Sequence, residues 1–373
     1  MAILLSFVFF LPTATVTDNF RDHKYTLFLM NLEERKAAFV KCGLFIERHF
    51  NQNWLEKEKQ LHDGLEHLIQ TALVYNGWFI RSFVEESLKN IAKMLSEGSL
   101  NDFVKTVPEP KTKKTVVIIM AGNIPMVGFH DLLCVILSGH IALLKMSSDD
   151  NVLMPFFIKL LEYYEPGLTE QIKFSEGKLS HFDAVIATGS NNTASHFKSY
   201  FGKYPHIIRK NRTSVAVITA KESNEDLKNL GRDIFLYFGL GCRNVSKVLV
   251  PKGYKFDSLF EAVFDYKFVV DNKKYGNNYD YNRAIYLLNL EKFLDNNFLI
   301  IKEDKGLFSP VSVLFYQEFA SESEVKEYLE DNKESLQCVL GNGPGMIPFG
   351  YSQSPVITDY ADGVDTLNFL VNL

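Results

Sequence analysis

Between residues 115 and 238, short Val- and Ile-rich segments alternate with stretches of helical periodicity, and few folds accept that order. The segments TVVIIMAG (115–122), IALLKMS (141–147), DAVIATGS (183–190), HIIRK (206–210) and SVAVIT (214–219) read as strands. Between and after them, FHDLLCVILSG (129–139), NVLMPFFIKLLEYY (151–164), residues 191–201 and NEDLKNLGRDIFLYF (224–238) read as helices. Near-continuous apolar strands with helical crossovers predict an α/β fold, a parallel sheet covered on both faces. Ligands of such sheets bind beyond the carboxyl ends of the strands. That edge holds Gly122-Asn123, Lys145 to Ser148 and Thr188-Gly189-Ser190.

Upstream, apolar residues recur at helical spacing through Leu61–Ile69 and Phe83–Leu95, and PEPKTKK (108–114) breaks that pattern as a linker. Downstream, a strand at 247–251, helices at 256–265 and 280–293, a strand at 311–319 and a helix at 322–332 form a second, smaller α/β block. The expected division is therefore 30–238 and 239–373. A hydrophobic fraction of 46% in 373 residues supports a large core. The formal net charge of -5 lacks the basic excess of a nucleic-acid-binding chain. Four scattered cysteines suit neither a disulfide framework nor a zinc site, and the histidines show no ligand spacing, so no metal is expected.

The first twelve residues, MAILLSFVFFLP, resemble the apolar region of a signal peptide. They lack its positive flank and cleavage site, and they are too short to span a membrane. Helical periodicity begins cleanly at Met30, so folding is expected to start there, in a cytoplasmic protein without a membrane span.

One cysteine stands apart. Cys242 lies in FGLGCRNVSKVLVP, between an amphipathic helix (Leu227, Leu230, Ile234, Phe238, with Asn224 as its expected N-cap) and a strand. Gly239 and Gly241 would let the backbone turn around the thiol. The residues alone leave two readings open, a buried structural thiol and a nucleophile facing a cleft. Cys42, Cys134 and Cys338 sit in apolar-periodic segments and are expected in the core. Lys145 and Ser147 close the second strand, where an acid would grip a ribose 2′-hydroxyl and a cation suits a 2′-phosphate. A solvated strand-end lysine is the other reading of Lys145. His130-Asp131 is expected to be helix-start polarity.

Three stretches, in matching order and spacing, resemble the acyl-CoA reductase family that includes the fatty acid reductase of bacterial luminescence, a branch of the aldehyde dehydrogenase superfamily. They are AGNIPMVGFHDLLCVILSGHIALLKMSSDD (121–150), ATGSNNTA (187–194) and FGLGCRNVSK (238–247). The resemblance implies a Rossmann-type nucleotide-binding sheet plus a smaller catalytic domain. It implies NADPH-dependent reduction of a fatty acyl-CoA to the aldehyde, with Cys242 as nucleophile and an oxyanion hole from the Asn123 amide and the Cys242 N–H. Lys145 and Ser147 would hold the adenosine ribose and its 2′-phosphate, Gly189 and Ser190 would approach the pyrophosphate with Thr188 in the same cofactor-binding turn, and Phe308 would match an aromatic at the nicotinamide ribose. Arg209 stands where aldehyde dehydrogenases carry a general-base Glu, and Gly306 where they carry a second Glu. Without a base to activate water, a thioester on Cys242 would survive until hydride arrives. The acyl donor is expected to be acyl-CoA or an acyl-carrying partner protein, and the superfamily's assemblies imply a homo-oligomer. The alternative is a cysteine acyltransferase or thioesterase without nicotinamide, which needs a His base; His206 is the candidate.

Overall fold

Four helices lead into the first strand: α1 (Leu32–Phe50), α2 (Lys59–Tyr75), α3 (Arg81–Met94) and α4 (Glu97–Val104). The computed structural model describes residues 30–175, 177–189 and 191–373. The chain divides into two units, Met1–Met30 and Asn31–Leu373, and the second carries every element named here. The expectations for residues 1–29 and for Ser190 lie outside the described residues. At the start of α1 the Asn31 side chain accepts the Glu34 N–H while Glu34 reaches back, a reciprocal cap that fixes the first turn.

The alternating stretch then gives β1 (Thr115–Ile119), α5 (Phe129–Leu137), β2 (Ile141–Lys145), α6 (Leu153–Tyr164), β3 (Ile172–Phe174), β4 (Ala184–Thr188), α7 (Asn191–Phe201) and β5 (His206–Arg209). These strands form one sheet in the order β3-β2-β1-β4-β5, with every pairing parallel. The chain leaves β1 towards β2 on one side and returns to β4 on the other. The switch point therefore lies between the carboxyl ends of β1 and β4, where open α/β sheets bind ligands. Val117, Val185 and Ala187 pack under Phe197 and Phe201 of α7.

The second sheet is built from β6 (Thr213–Val217), β7 (Val245–Pro251), β8 (Leu294–Asp295), β9 (Ile300–Glu303), β10 (Val313–Phe319) and β11 (Leu336–Leu340). Their order is β11-β6-β7-β10-β9-β8, parallel except for β8 against β9. Between them run α8 (Asn224–Phe235), α9 (Asp257–Ala262), α10 (Lys273–Leu288) and α11 (Glu322–Asn332), and α12 (Thr366–Val371) ends the chain. Alternation along β6 sends Ala216 into the core under α8, and Val215 and Val217 to the opposite face against Tyr328 and Leu329 of α11. Both faces are covered. The change of sheet falls between Arg209 and Thr213, whereas the expected division is at 238/239.

Three details differ from the sequence reading. The N-cap of α8 is Ser223, not Asn224: its hydroxyl accepts the Asp226 N–H, and Asp226 reaches back to the cap. Helix α10 starts at Lys273 because the Asn272 side chain accepts from the Lys274 and Tyr275 amides. Strands β3, β8, β9 and β11 lie outside the segments read as strands; β3, β8 and β9 are only two to four residues long. Among the described residues, no helix is long and apolar enough to cross a membrane.

Candidate active site

Cys242 sits just ahead of β7, in a loop whose backbone is unusual. After α8 ends, Tyr237, Phe238 and Gly239 all lie in the left-handed region, with φ of 53°, 56° and 77°. Glycine takes that conformation freely; two bulky aromatics take it only when their surroundings hold them. Phe238 is wedged among Phe83, Trp78 and Tyr275, at ring separations of 4.9, 5.4 and 5.8 Å. The Cys242 carbonyl accepts from Ser214 Oγ at 3.0 Å.

Of the four cysteines, Cys242 alone is not fully buried. Its thiol opens on a cavity of about 610 Å³ that gathers Asn123, Ser147, Thr188 and Gly189 from the carboxyl edge of the first sheet. Desolvation pushes the thiol up to about 11, while Arg243 and, more weakly, Arg209 pull it down. Asn123 reaches across the cleft, its Nδ2 donating to the Leu240 carbonyl at 2.7 Å. That amide hydrogen ties the loop after β1 to the loop that carries Cys242. Met94, Ile124, Val127, Leu240 and Pro355 give the same cavity an apolar side.

Not every expected residue lines this space. Lys145 ends β2 at the same sheet edge, its carbonyl accepting the Met120 N–H at 3.1 Å, but it does not line the cavity. Phe308 lines two neighbouring cavities, one against Phe238 and one against α7. His206 lines the latter, its Nδ1 facing the Tyr204 carbonyl at 2.8 Å. His206, the base expected for the hydrolytic alternative, is therefore not in the Cys242 cavity; a different histidine, His130, lines it, with its Nε2 2.7 Å from the Ile357 carbonyl.

Arg209, at the end of β5, has a partner that sequence reasoning missed. Asp131 is more than helix-start polarity: it is nearly buried and takes both Arg209 terminal nitrogens, at 2.6 and 2.8 Å. Arg209 also donates to Thr366 Oγ1 of α12 at 3.0 Å and approaches Thr188 Oγ1 at 3.5 Å. Nothing local marks a pair separated by 78 positions. Asn244, two residues after the thiol, was also passed over, since a lone Asn before a strand carries no signal.

The residues at the switch point fit a dinucleotide. The β1 and β2 ends approach so closely that a Cβ on Gly122 would lie 2.6 Å from Ser147 Oγ and 2.8 Å from Asp149 Cβ. A Cβ on Gly189 would lie 2.9 Å from Thr193 Cγ2. Helix α7 follows directly, and a helix start offers free amides to a pyrophosphate. Gly122→Ala is expected to force the two strand ends apart, at a cost of about 1–3 kcal/mol. Titration of nicotinamide cofactor by fluorescence should show at least tenfold weaker binding; unchanged affinity would show that the approach does not matter. Among the described residues, no group of three or more His, Cys, Asp or Glu side chains gathers as metal ligands.

The Acyl-CoA reductase (LuxC) family matches residues 46–258, more than half of the chain. No curated protein matches the sequence. Among solved structures, aldehyde dehydrogenase 21 from Physcomitrella patens, in complex with the reaction product succinate, is 13% identical with a TM-score of 0.61, covering 92% of this chain and 84% of that one. An NAD-dependent aldehyde dehydrogenase from Sinorhizobium meliloti is 13% identical (TM-score 0.59; 84% and 71% covered). An aldehyde dehydrogenase from Bacillus cereus, solved with NAD+, is 14% identical (TM-score 0.57; 84% and 73% covered). These likenesses establish an aldehyde dehydrogenase-like fold.

Proposed function

The chain belongs to the acyl-CoA reductase (LuxC) family of aldehyde-forming oxidoreductases, and from that premise we propose that it reduces a fatty acyl-CoA with NADPH through a thioester on Cys242. What supports this most is the composition of one cavity. It holds the Cys242 thiol and the Asn123 amide, and the position of a hydrolytic base is taken by an arginine already paired with Asp131.

The Cys242 thiol first loses its proton, a step that burial opposes and that Arg243 and Arg209 ease. The thiolate attacks the thioester carbonyl, forming the S–C bond to the acyl group. The developing oxyanion takes hydrogen bonds from Asn123 Nδ2 and from the Cys242 N–H, which has no partner among the described residues. Each such donor is typically worth about 3–4 kcal/mol of barrier. Collapse breaks the bond to the CoA sulfur, which leaves as a thiol after taking up a proton. Arg209, at the place of the general base, cannot accept a proton from water, which disfavours hydrolysis of the thioester. Bound NADPH would supply the hydride that reduces the thioester carbonyl. The thiohemiacetal on Cys242 then expels the thiolate and releases the aldehyde. Met94, Ile124, Val127 and Leu240 would take the alkyl chain.

Thr188, Gly189 and Ser190 would hold the pyrophosphate, and Ser147 the ribose. Phe308 would meet the nicotinamide ribose. Lys145 would bind the 2′-phosphate, a charge-assisted contact worth about 1.5–3 kcal/mol. The expected preference for NADPH over NADH is therefore roughly ten- to hundredfold in kcat/KM. Comparing both cofactors in wild type and in Lys145→Met tests this. Equal loss with both would mean that Lys145 holds the ribose and does not read the phosphate.

A further inference from the structure

We infer that Asn244 is the positioning residue of the Cys242 loop, clamping the end of α8 to the Gly241 amide. The inference rests on the reading of Cys242 as nucleophile. The last carbonyls of any helix lack intrahelical donors. Here the Asn244 Nδ2 supplies them, donating to Leu236 O at 2.8 Å and Asp233 O at 2.9 Å, with Ile234 O at 3.4 Å. Its Oδ1 accepts the Gly241 N–H at 2.8 Å, and its own N–H donates to the Gly241 carbonyl at 3.0 Å. The side chain is 1% exposed.

The clamp therefore grips both ends of the left-handed turn at 237–239. It engages the amide immediately before Cys242 and leaves the Cys242 N–H uncommitted. Gly241 is suited to this contact: a Cβ there would lie 3.0 Å from Asn244 Oδ1. Without Asn244, the helix carbonyls and the Gly241 amide lose their partners together. The turn can then relax, and the thiol and its neighbouring amide lose their joint orientation.

The test uses the full-length protein with Asn244→Ala and the near-isosteric Asn244→Asp, which keeps the acceptor for Gly241 and loses the donors. Acyl-CoA reduction should fall about 10²-fold in kcat, the scale of one lost oxyanion donor, with NADPH affinity within about twofold of wild type. Iodoacetamide labelling of Cys242, followed by peptide mass spectrometry at pH 7.5, should move the other way. A thiol held near 11 by burial that reaches solvent returns towards ~8.5, which quickens alkylation on the order of 100-fold. A merely structural residue would lower activity without raising thiol reactivity. Unchanged kcat and unchanged alkylation in the folded variants overturn the assignment. If Asn244→Ala does not fold, Asn244→Asp is read by the same two measurements. Alkylation reports on the loop whether or not Cys242 carries the acyl group, whereas Cys242→Ala in the reductase assay tests that role directly, so the two failures are distinguishable.

Discussion

Cys242→Ala is expected to lower acyl-CoA-dependent NADPH oxidation by at least ~10⁴-fold, the scale on which removal of an activated nucleophile acts, while NADPH affinity stays near that of wild type. No other cysteine can take over the role. Cys42 and Cys134 are fully enclosed, and burial holds both thiols well above their ordinary range. Cys338 is buried in β11 and is also pushed up, its Sγ 3.4 Å from an Arg243 nitrogen. Their alanine variants are expected to cost stability and leave the reductive step working. A Cys242→Ala protein that kept a tenth of the activity would remove the thioester route.

Asp131→Ala is expected to destabilise the fold by about 3–5 kcal/mol, because it leaves the Arg209 guanidinium buried without its counterion. Arg209 is 4% exposed and Asp131 7%, so water cannot replace the lost contacts easily. In a protein of this size the loss corresponds to a melting point roughly 5 °C lower. Removing both charges together, as Asp131→Leu with Arg209→Met, should recover much of it, since a buried ion pair is costly mainly when broken. Thermal unfolding of the three variants decides. A cost under about 1 kcal/mol for Asp131→Ala would mean that the pair is effectively solvated. The same pair bears on chemistry, since it joins α5, the end of β5 and α12 around the Cys242 cavity.

The elements legible in the sequence were those whose burial is two-sided or whose periodicity is clean. TVVII, AVIAT and the helix at 191–201 occur where expected, because a strand covered on both faces reads as an unbroken apolar run. Strand β3 is only three residues long and carries exposed Lys173 and Phe174, so it offers no such run. Helix α10 was placed too far along the chain because its later apolar residues suggest a buried stripe. Tyr281, Leu288 and neighbouring Leu290 are in fact exposed, and the start is set by the Asn272 cap.

Site residues divide in a similar way. Gly122, Asn123, Thr188, Gly189 and Cys242 fall at strand ends or at a glycine-marked turn, and the parallel-sheet rule alone points to the first four. Asp131 and Asn244 act through partners that only the tertiary fold supplies: a guanidinium one sheet edge away and the carbonyls of a preceding helix. A sequence shows their chemistry without showing what they face. Asp131 does lie in the first turn of α5, as its sequence position suggests, and that local explanation gives no sign of its partnership with Arg209.

The central claim is that the acyl group passes through Cys242. Incubating the protein with labelled acyl-CoA and no NADPH, then mapping the label by peptide mass spectrometry, tests it most directly. The account predicts one acyl group per chain on the peptide carrying Cys242, discharged as aldehyde when NADPH is added. Label that persists in Cys242→Ala, or NADPH oxidation by a chain that never becomes labelled, would contradict it.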